Sequence, residues 1–247
     1  MAASIELPEL PAPHAEFVDY IADNPETPMT QIMAPYREYE SKLRSLFAQD
    51  RGDPRLNDPY INVLPLFNDK TSRITTRARN LASESQEEKD KYIMALPDDK
   101  RRPHGSPATV GSLTDFRKNF NVFSENSLAD LDWGNVVAAG SSVVNCLLPV
   151  PPEFNKTKRT LRDYYHEKFC PASDVDLFLY GLNEQQAIEK IKQIEQSVRD
   201  AILSDVTVCN SDNTCTYSSV ANTLRSSERS TPSQSPLSIP LAMSRYV

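Results

Sequence analysis

The sequence predicts an α/β chain of the α+β kind. The expected architecture is an incomplete mixed sheet with flanking helices, preceded by a helical N-terminal region and followed by a disordered C-terminal tail. Three observations carry this expectation. From Asn135 to Ile202 the order is strand, turn, helix, insert, strand, turn, helix, a layer that needs further strands to finish its sheet. Upstream of residue 96 the apolar residues recur mainly at helical spacing. Beyond Val208 they lose any period and serine crowds the chain.

Glu6 to Pro13 is proline-rich and reads as extended, and Ala15 to Ala22 reads as a short helix. From Pro35 onward, Tyr36, Tyr39, Leu43, Leu46 and Phe47 form one stripe, with Arg37, Glu38, Lys42 and Arg44 outside it. Pro35 suits the first turn of that helix, and the Gly-Asp-Pro and Asp-Pro turns between Arg51 and Pro59 end it. Tyr60 to Phe67 is apolar, but Pro65 confines it to a sheet edge or to extended packing. Thr71 to Leu96 reads as a charged helix held by Ile74, Ala78, Leu81, Tyr92, Ile93 and Leu96. Residues 97–112 read as a mobile linker, with the basic run Lys100-Arg101-Arg102 solvated rather than bound to nucleic acid.

Structure resumes at Leu113 through Phe116, Phe120 and Phe123, followed by a strand from Asn135 to Ala139, a helix from Ser142 to Leu148 and a strand from Val175 to Tyr180. The clearest helix comes next. Asn183 and Gln186 make its cap, and Ala187, Ile188, Ile191, Ile194, Val198, Ala201 and Ile202 line one face. The expected organisation is a mostly helical region 1–96, a linker 97–112, a truncated domain 113–208 and a disordered tail 209–247.

Bulk composition narrows the functional classes. The 247 residues hold one generous domain or one domain with a smaller attachment. Apolar content of 39% and 19 prolines against 6 glycines leave much of that length to surface and connectors. A formal charge of -7 argues against strong general binding to nucleic acid. The first residues lack the basic region and apolar core of a signal peptide, and no stretch has membrane-spanning length. Cys146, Cys170, Cys209 and Cys215 lack zinc-ligand spacing and read as free thiols. The expected location is therefore intracellular, cytoplasmic or nuclear, with no membrane partner.

One region points at chemistry. Ala138-Ala139-Gly140-Ser141-Ser142 is a glycine-serine turn feeding a helix, and Ser173-Asp174-Val175-Asp176 enters the next strand. Alternation along a strand places Asp174 and Asp176 on one face. Two adjacent carboxylates repel each other unless a cation neutralises them, and magnesium shares such ligands with substrate phosphates. Glycine lets the backbone approach a phosphate, toward which the free amides of a first helical turn point. The expected site has Asp174 and Asp176 as metal ligands and catalytic groups, with Gly140, Ser141 and Ser142 as the cradle for a nucleoside triphosphate. His104 and His166 each stand alone and receive no role. Tyr164 and Tyr165 are expected to pack the insert.

Asp132-Trp133-Gly134-Asn135-Val136-Val137-Ala138-Ala139-Gly140-Ser141-Ser142, Leu147-Leu148-Pro149 and Ser173-Asp174-Val175-Asp176-Leu177-Phe178-Leu179-Tyr180-Gly181-Leu182 resemble a eukaryotic family prominent in fungi and slime moulds. Its members often carry ankyrin repeats and have what looks like a nucleotidyltransferase-fold domain. The family's motif reads Ala-Gly-Gly-Ser, then Ser-Asp-Ile-Asp-Leu-Phe-Leu-Tyr-Gly-Leu; here Ser141 replaces the second glycine. The resemblance runs from about Phe123 to Leu203, is softer over Pro35 to Phe67, and implies an insert between Gly140 and Asp174. It implies a fold and a magnesium–nucleotide site, and it carries no established activity.

The resemblance breaks after Val206-Thr207-Val208, where no third carboxylate follows on a recognisable strand. Read one nucleotide over with permitted codons, Ser227 to Arg245 can encode Arg-Thr-Leu-His-Ala-Val-Thr-Ile-Ala-Ser-Gln-Tyr-Pro-Thr-Arg-His-Val-Gln, the segment relatives place here. The hypothesis is a shifted reading frame over the tail, and sequencing the locus tests it directly. The expected function is a nucleotidyltransferase-like protein that binds magnesium–nucleotide and is catalytically incomplete as the sequence stands. The alternatives are a non-catalytic module of the same fold that binds a protein partner, and an inactive product of a truncated or misread gene.

Overall fold

The computed structural model describes residues 5–58, 60–78, 82–90, 101–171, 174–202, 206–210, 214–219 and 241–245. The chain is α+β and divides into two compact units, Met1–Leu113 and Thr114–Val247. Each is described by itself.

In the first unit a 3-10 turn, His14–Glu16, leads into helix α1, Phe17–Asp23, and then into α2, Met29–Gln49. Phe17, Ile21, Ile32 and Tyr36 form the core, joined by Leu10, Tyr20, Met33, Leu64 and Ile74. The Tyr36 hydroxyl donates to the Ala12 carbonyl at 2.9 Å and fixes the proline-rich leader on α2. Cations gather where α1 ends. The Arg77 guanidinium donates to the carbonyls of Thr27 and Ile21, and Lys70 and Arg73 pair with Asp23 at 3.1 and 3.3 Å. Positive charge at a helix C-terminus satisfies orphan carbonyls and complements the dipole.

Pro35 lies inside α2 rather than opening it. It removes one backbone donor, and the helix extends ahead of it because Ile32 and Tyr36 share the face that enters the core.

The charged helix expected over Thr71–Leu96 is not formed as such. Thr71–Arg73 is one 3-10 turn, in which the Thr71 hydroxyl donates to the Leu66 carbonyl at 2.8 Å. Residues 74–76 then pair with 105–108: Thr76 N donates to Ser106 O at 2.7 Å, Gly105 N to Thr76 O at 2.9 Å and Ala108 N to Ile74 O at 2.9 Å. Among the described residues of that span, the short helix α3, Gln86–Asp90, is what remains of the expectation. Leu81, Tyr92, Ile93 and Leu96 lie outside the described residues. The same pairing corrects the linker, since residues 105–108 are bound into the first unit and Arg102 donates to the carbonyls of Ala108 and Pro107.

The second unit begins with α4, Leu113–Phe123. Strand β1, Val136–Ala139, is followed by α5, Ser141–Leu147, and α6, Lys158–Asp163. A π-helical turn, Tyr164–Phe169, leads toward β2, Val175–Leu179, and α7, Glu184–Ala201. The sequence continues through β3, Val206–Asn210, β4, Thr214–Ser219, and β5, Leu241–Arg245. The five strands form one sheet in the order β1-β2-β5-β4-β3. β1 runs antiparallel to β2 with Ala139 opposite Asp176, and β5 runs parallel to β2 with Ala242 opposite Asp176. The disordered tail expected from Cys209 is corrected over these strands, whose pairing is a matter of backbone donors and acceptors rather than of an apolar period.

Alternation along β2 puts Val175, Leu177 and Leu179 in the core, leaving Asp176 and Phe178 half-buried on the other face. The core gathers Phe120, Phe123, Val136, Leu161, Tyr165, Ile194 and Val198 around them. α7 carries its anticipated capping box, Asn183 and Gln186 each accepting from the other's backbone N–H at 3.0 Å.

Its buried face also holds a charge. Lys190 is 8% exposed and donates to the Asp132 carboxylate at 2.8 Å and to the Asp132 carbonyl at 3.4 Å. That bond, with help from the Gly134 N–H, holds the Asp132 carboxyl below the usual range. Removing one partner of such a pair strands the other, whereas an apolar replacement of the buried member does not. Asp132→Ala is therefore expected to lower the urea midpoint, and Lys190→Met to lower it less.

Candidate functional site

β1 ends at Ala139, directly across the ladder from Asp176. The next residue, Gly140, has φ 81° and ψ -158°, a region that side-chain-bearing residues do not occupy. A Cβ built there would stand 2.6 Å from Asp176 Oδ2. Gly140 is thus required twice, once by its backbone and once by the carboxylate against it.

Ser141 opens α5 and is exposed. Ser142 is fully buried, and its hydroxyl donates inward to the Ala139 carbonyl at 3.3 Å. The Ser142 side chain thus braces the turn, and a cradle there would use the backbone amides of the helix start rather than this hydroxyl. The Cys146 carbonyl in α5 accepts from the buried Asn119 amide at 3.1 Å, tying the helix to α4, and burial pushes the Cys146 thiol up.

Asp174 stands just before β2 and, like Asp176, is half-buried. Burial first, and then the negative charge of Asp174, raises the Asp176 carboxyl above its ordinary value of 3.8. A carboxyl raised by folding is least comfortable when ionised. Asp176 therefore weakens the unit at neutral pH, and that penalty disappears as pH falls through its raised folded value.

Among the described residues no group of three or more His, Cys, Asp or Glu side chains could hold a metal ion. Two carboxylates suit a magnesium ion that brings phosphate oxygens and water with it; they do not make a cage for a bare ion. The register position beside Asp176 on β5 is Ala242, so that neighbouring strand offers no further acid there.

The structure therefore brings together Gly140, Asp174 and Asp176 with Ser141 at the adjoining helix start, and it turns the Ser142 side chain away. Sequence reasoning missed a second polar cluster, in which the Glu125 carboxylate pairs with Arg162 and lies 3.8 Å from His166 Nε2. Its one local signal was a glutamate–asparagine pair just after an apolar helix, where a helix-terminating turn is common. No helix among the described residues is long and apolar enough to cross a membrane.

No protein-family model, no curated protein and no solved structure matches this chain.

Proposed function

We propose that the second unit binds a magnesium-complexed nucleoside triphosphate in a nucleotidyltransferase-like arrangement, as a site that holds nucleotide without efficient turnover. The observation that carries the reading is the contact between Gly140 and Asp176. The glycine turn ahead of a helix and the acid pair meet at one point. Asp174 and Asp176 hold the metal, and Gly140 and Ser141 lie against the phosphates. Bound magnesium would supply charge neutralisation between the carboxylates and the phosphate chain.

Ala242 beside Asp176 favours binding over catalysis, because a third acid is the group that a transfer reaction adds at such a site. A non-catalytic module that uses the bound nucleotide to recruit a protein partner fits the same residues.

Calorimetric titration with Mg-ATP tests the reading. Wild type is expected to bind, and Asp174→Asn with Asp176→Asn to weaken binding at least about 100-fold, the equivalent of about 2.7 kcal/mol. Binding should also begin to fail at a higher pH than an ordinary aspartate would dictate, because Asp176 takes up its proton early. Equal affinity in the double variant would refute the assignment.

A further inference from the structure

The strongest unexplained chemistry in the second unit lies where α4 ends. Glu125 and Asn126 both have positive φ, 52° and 60°. The Asn126 N–H donates to the Asn121 carbonyl at 2.7 Å and the Glu125 N–H to the Val122 carbonyl at 3.2 Å, the double bond of a Schellman ending. Glycine fills that first left-handed position most cheaply. A glutamate there is strained backbone kept for its side chain.

That side chain has two neighbours. The Arg162 guanidinium, from α6, pairs with Glu125 Oε1. His166 Nε2, from the π-helical turn, faces the same oxygen at 3.8 Å, too long for a hydrogen bond. The His166 side chain is 9% exposed, its ring stacks at 6.2 Å on Phe123, and Nε2 is buried without a partner. A buried ring nitrogen without a hydrogen-bond partner disfavours the imidazolium.

We propose that Glu125, Arg162 and His166 form a pH-operated clasp that docks the π-helical turn on the end of α4 at neutral pH and releases it on acidification. The inference is independent of the nucleotide site. The clasp joins three elements: α4 through its terminal turn, α6 through Arg162, and the π-helical turn through His166. The last turn of that third element is closed by the bond from Cys170 N to Tyr165 O at 3.0 Å. π-helical turns of this kind recur at functional sites.

Protonation puts a positive charge on a buried ring beside Arg162, whose guanidinium already pairs with the Glu125 carboxylate. Burial disfavours the imidazolium most; Glu125 and Glu167 favour it, and Arg162 opposes it. The balance holds His166 below its ordinary 6.5. The clasp's stabilisation is therefore fully present above pH 6.5 and is lost as pH falls from there toward the lower folded value.

Amide hydrogen exchange on the full chain, compared between pH 7.5 and 5.5 and corrected for intrinsic rates, is the test. The Cys170 amide of wild type is expected to lose protection about tenfold at the lower pH. His166→Gln, which carries no titrating group, should show no such loss. NMR titration of the His166 ring in the intact protein supplies a second readout, assigned by its absence in His166→Gln, with a midpoint below 6.5. The proposal is overturned if His166 titrates at or above 6.5, or if wild type and His166→Gln lose protection equally.

Discussion

Gly140→Ala is expected to cost the second unit at least about 2 kcal/mol and to remove Mg-ATP binding. The backbone there lies in a region that costs a non-glycine residue roughly 1–3 kcal/mol. The added methyl would also sit 2.6 Å from Asp176 Oδ2, a separation that something must relieve. Two relaxations are open: rotation of the Asp176 carboxyl away from the turn, or a shift of the β1–α5 connection. Either one separates the acid from the turn. Gly181→Ala is the matched control. Gly181 also has positive φ, at 67°, but a Cβ there meets only Asn135 Nδ2 at 3.4 Å. It should lose about 1 kcal/mol and leave nucleotide affinity within about twofold. Urea midpoints and calorimetry on both variants check the prediction. Equal losses of stability and of binding at the two positions would show that the Gly140–Asp176 contact has no special part in the site.

Elements whose instructions are local were the legible ones. The turn at Gly140, the alternation through Val175, Leu177 and Leu179, and the Asn183–Gln186 cap each need only a few consecutive residues, and each forms where the sequence places it. Pro35 misled because a first-turn rule was applied without knowing that Ile32 shares a buried face with Tyr36. Ile74 to Thr76 read as helix because their partners, Gly105 to Ala108, lie some thirty residues away, and a local pattern cannot see a distant ladder. Strand β5 was hidden for the same reason, since Leu241 to Ser244 pair with Thr214 to Tyr217 across a long separation. Within the site, glycine and the acid pair were readable from spacing alone. The inward turn of Ser142 and the adjacency of Ala242 to Asp176 were not, because both depend on what packs against them. Beyond the asparagine that follows it, Glu125 gave no cue, because a strained glutamate looks like any charged helix end until its φ is known.

Ala242→Asp is expected to turn the proposed nucleotide site from a holder into a working centre. Residue 242 is the parallel-ladder partner of Asp176, which is paired with Ala139 on its other side. A third carboxylate at that register would add negative charge beside Asp176, whose carboxyl is already raised by burial and then by the Asp174 charge. Without magnesium the variant should be less stable than wild type, and the Asp176 carboxyl should rise further. With Mg-ATP the sign reverses: three acids hold the cation better than two, and affinity should increase about tenfold, roughly 1.4 kcal/mol. An added carboxylate near the phosphates could also take the proton from an acceptor hydroxyl, a role that contributes about 10²–10⁴-fold in rate. Label transfer from ATP to an added acceptor pool, absent in wild type, is the readout for that step. Ala242→Asn, of nearly the same size and without charge, should show neither the loss in stability nor the gain in affinity. If Asp and Asn behave alike, residue 242 does not stand beside Asp176, and β5 is not the strand that completes this site.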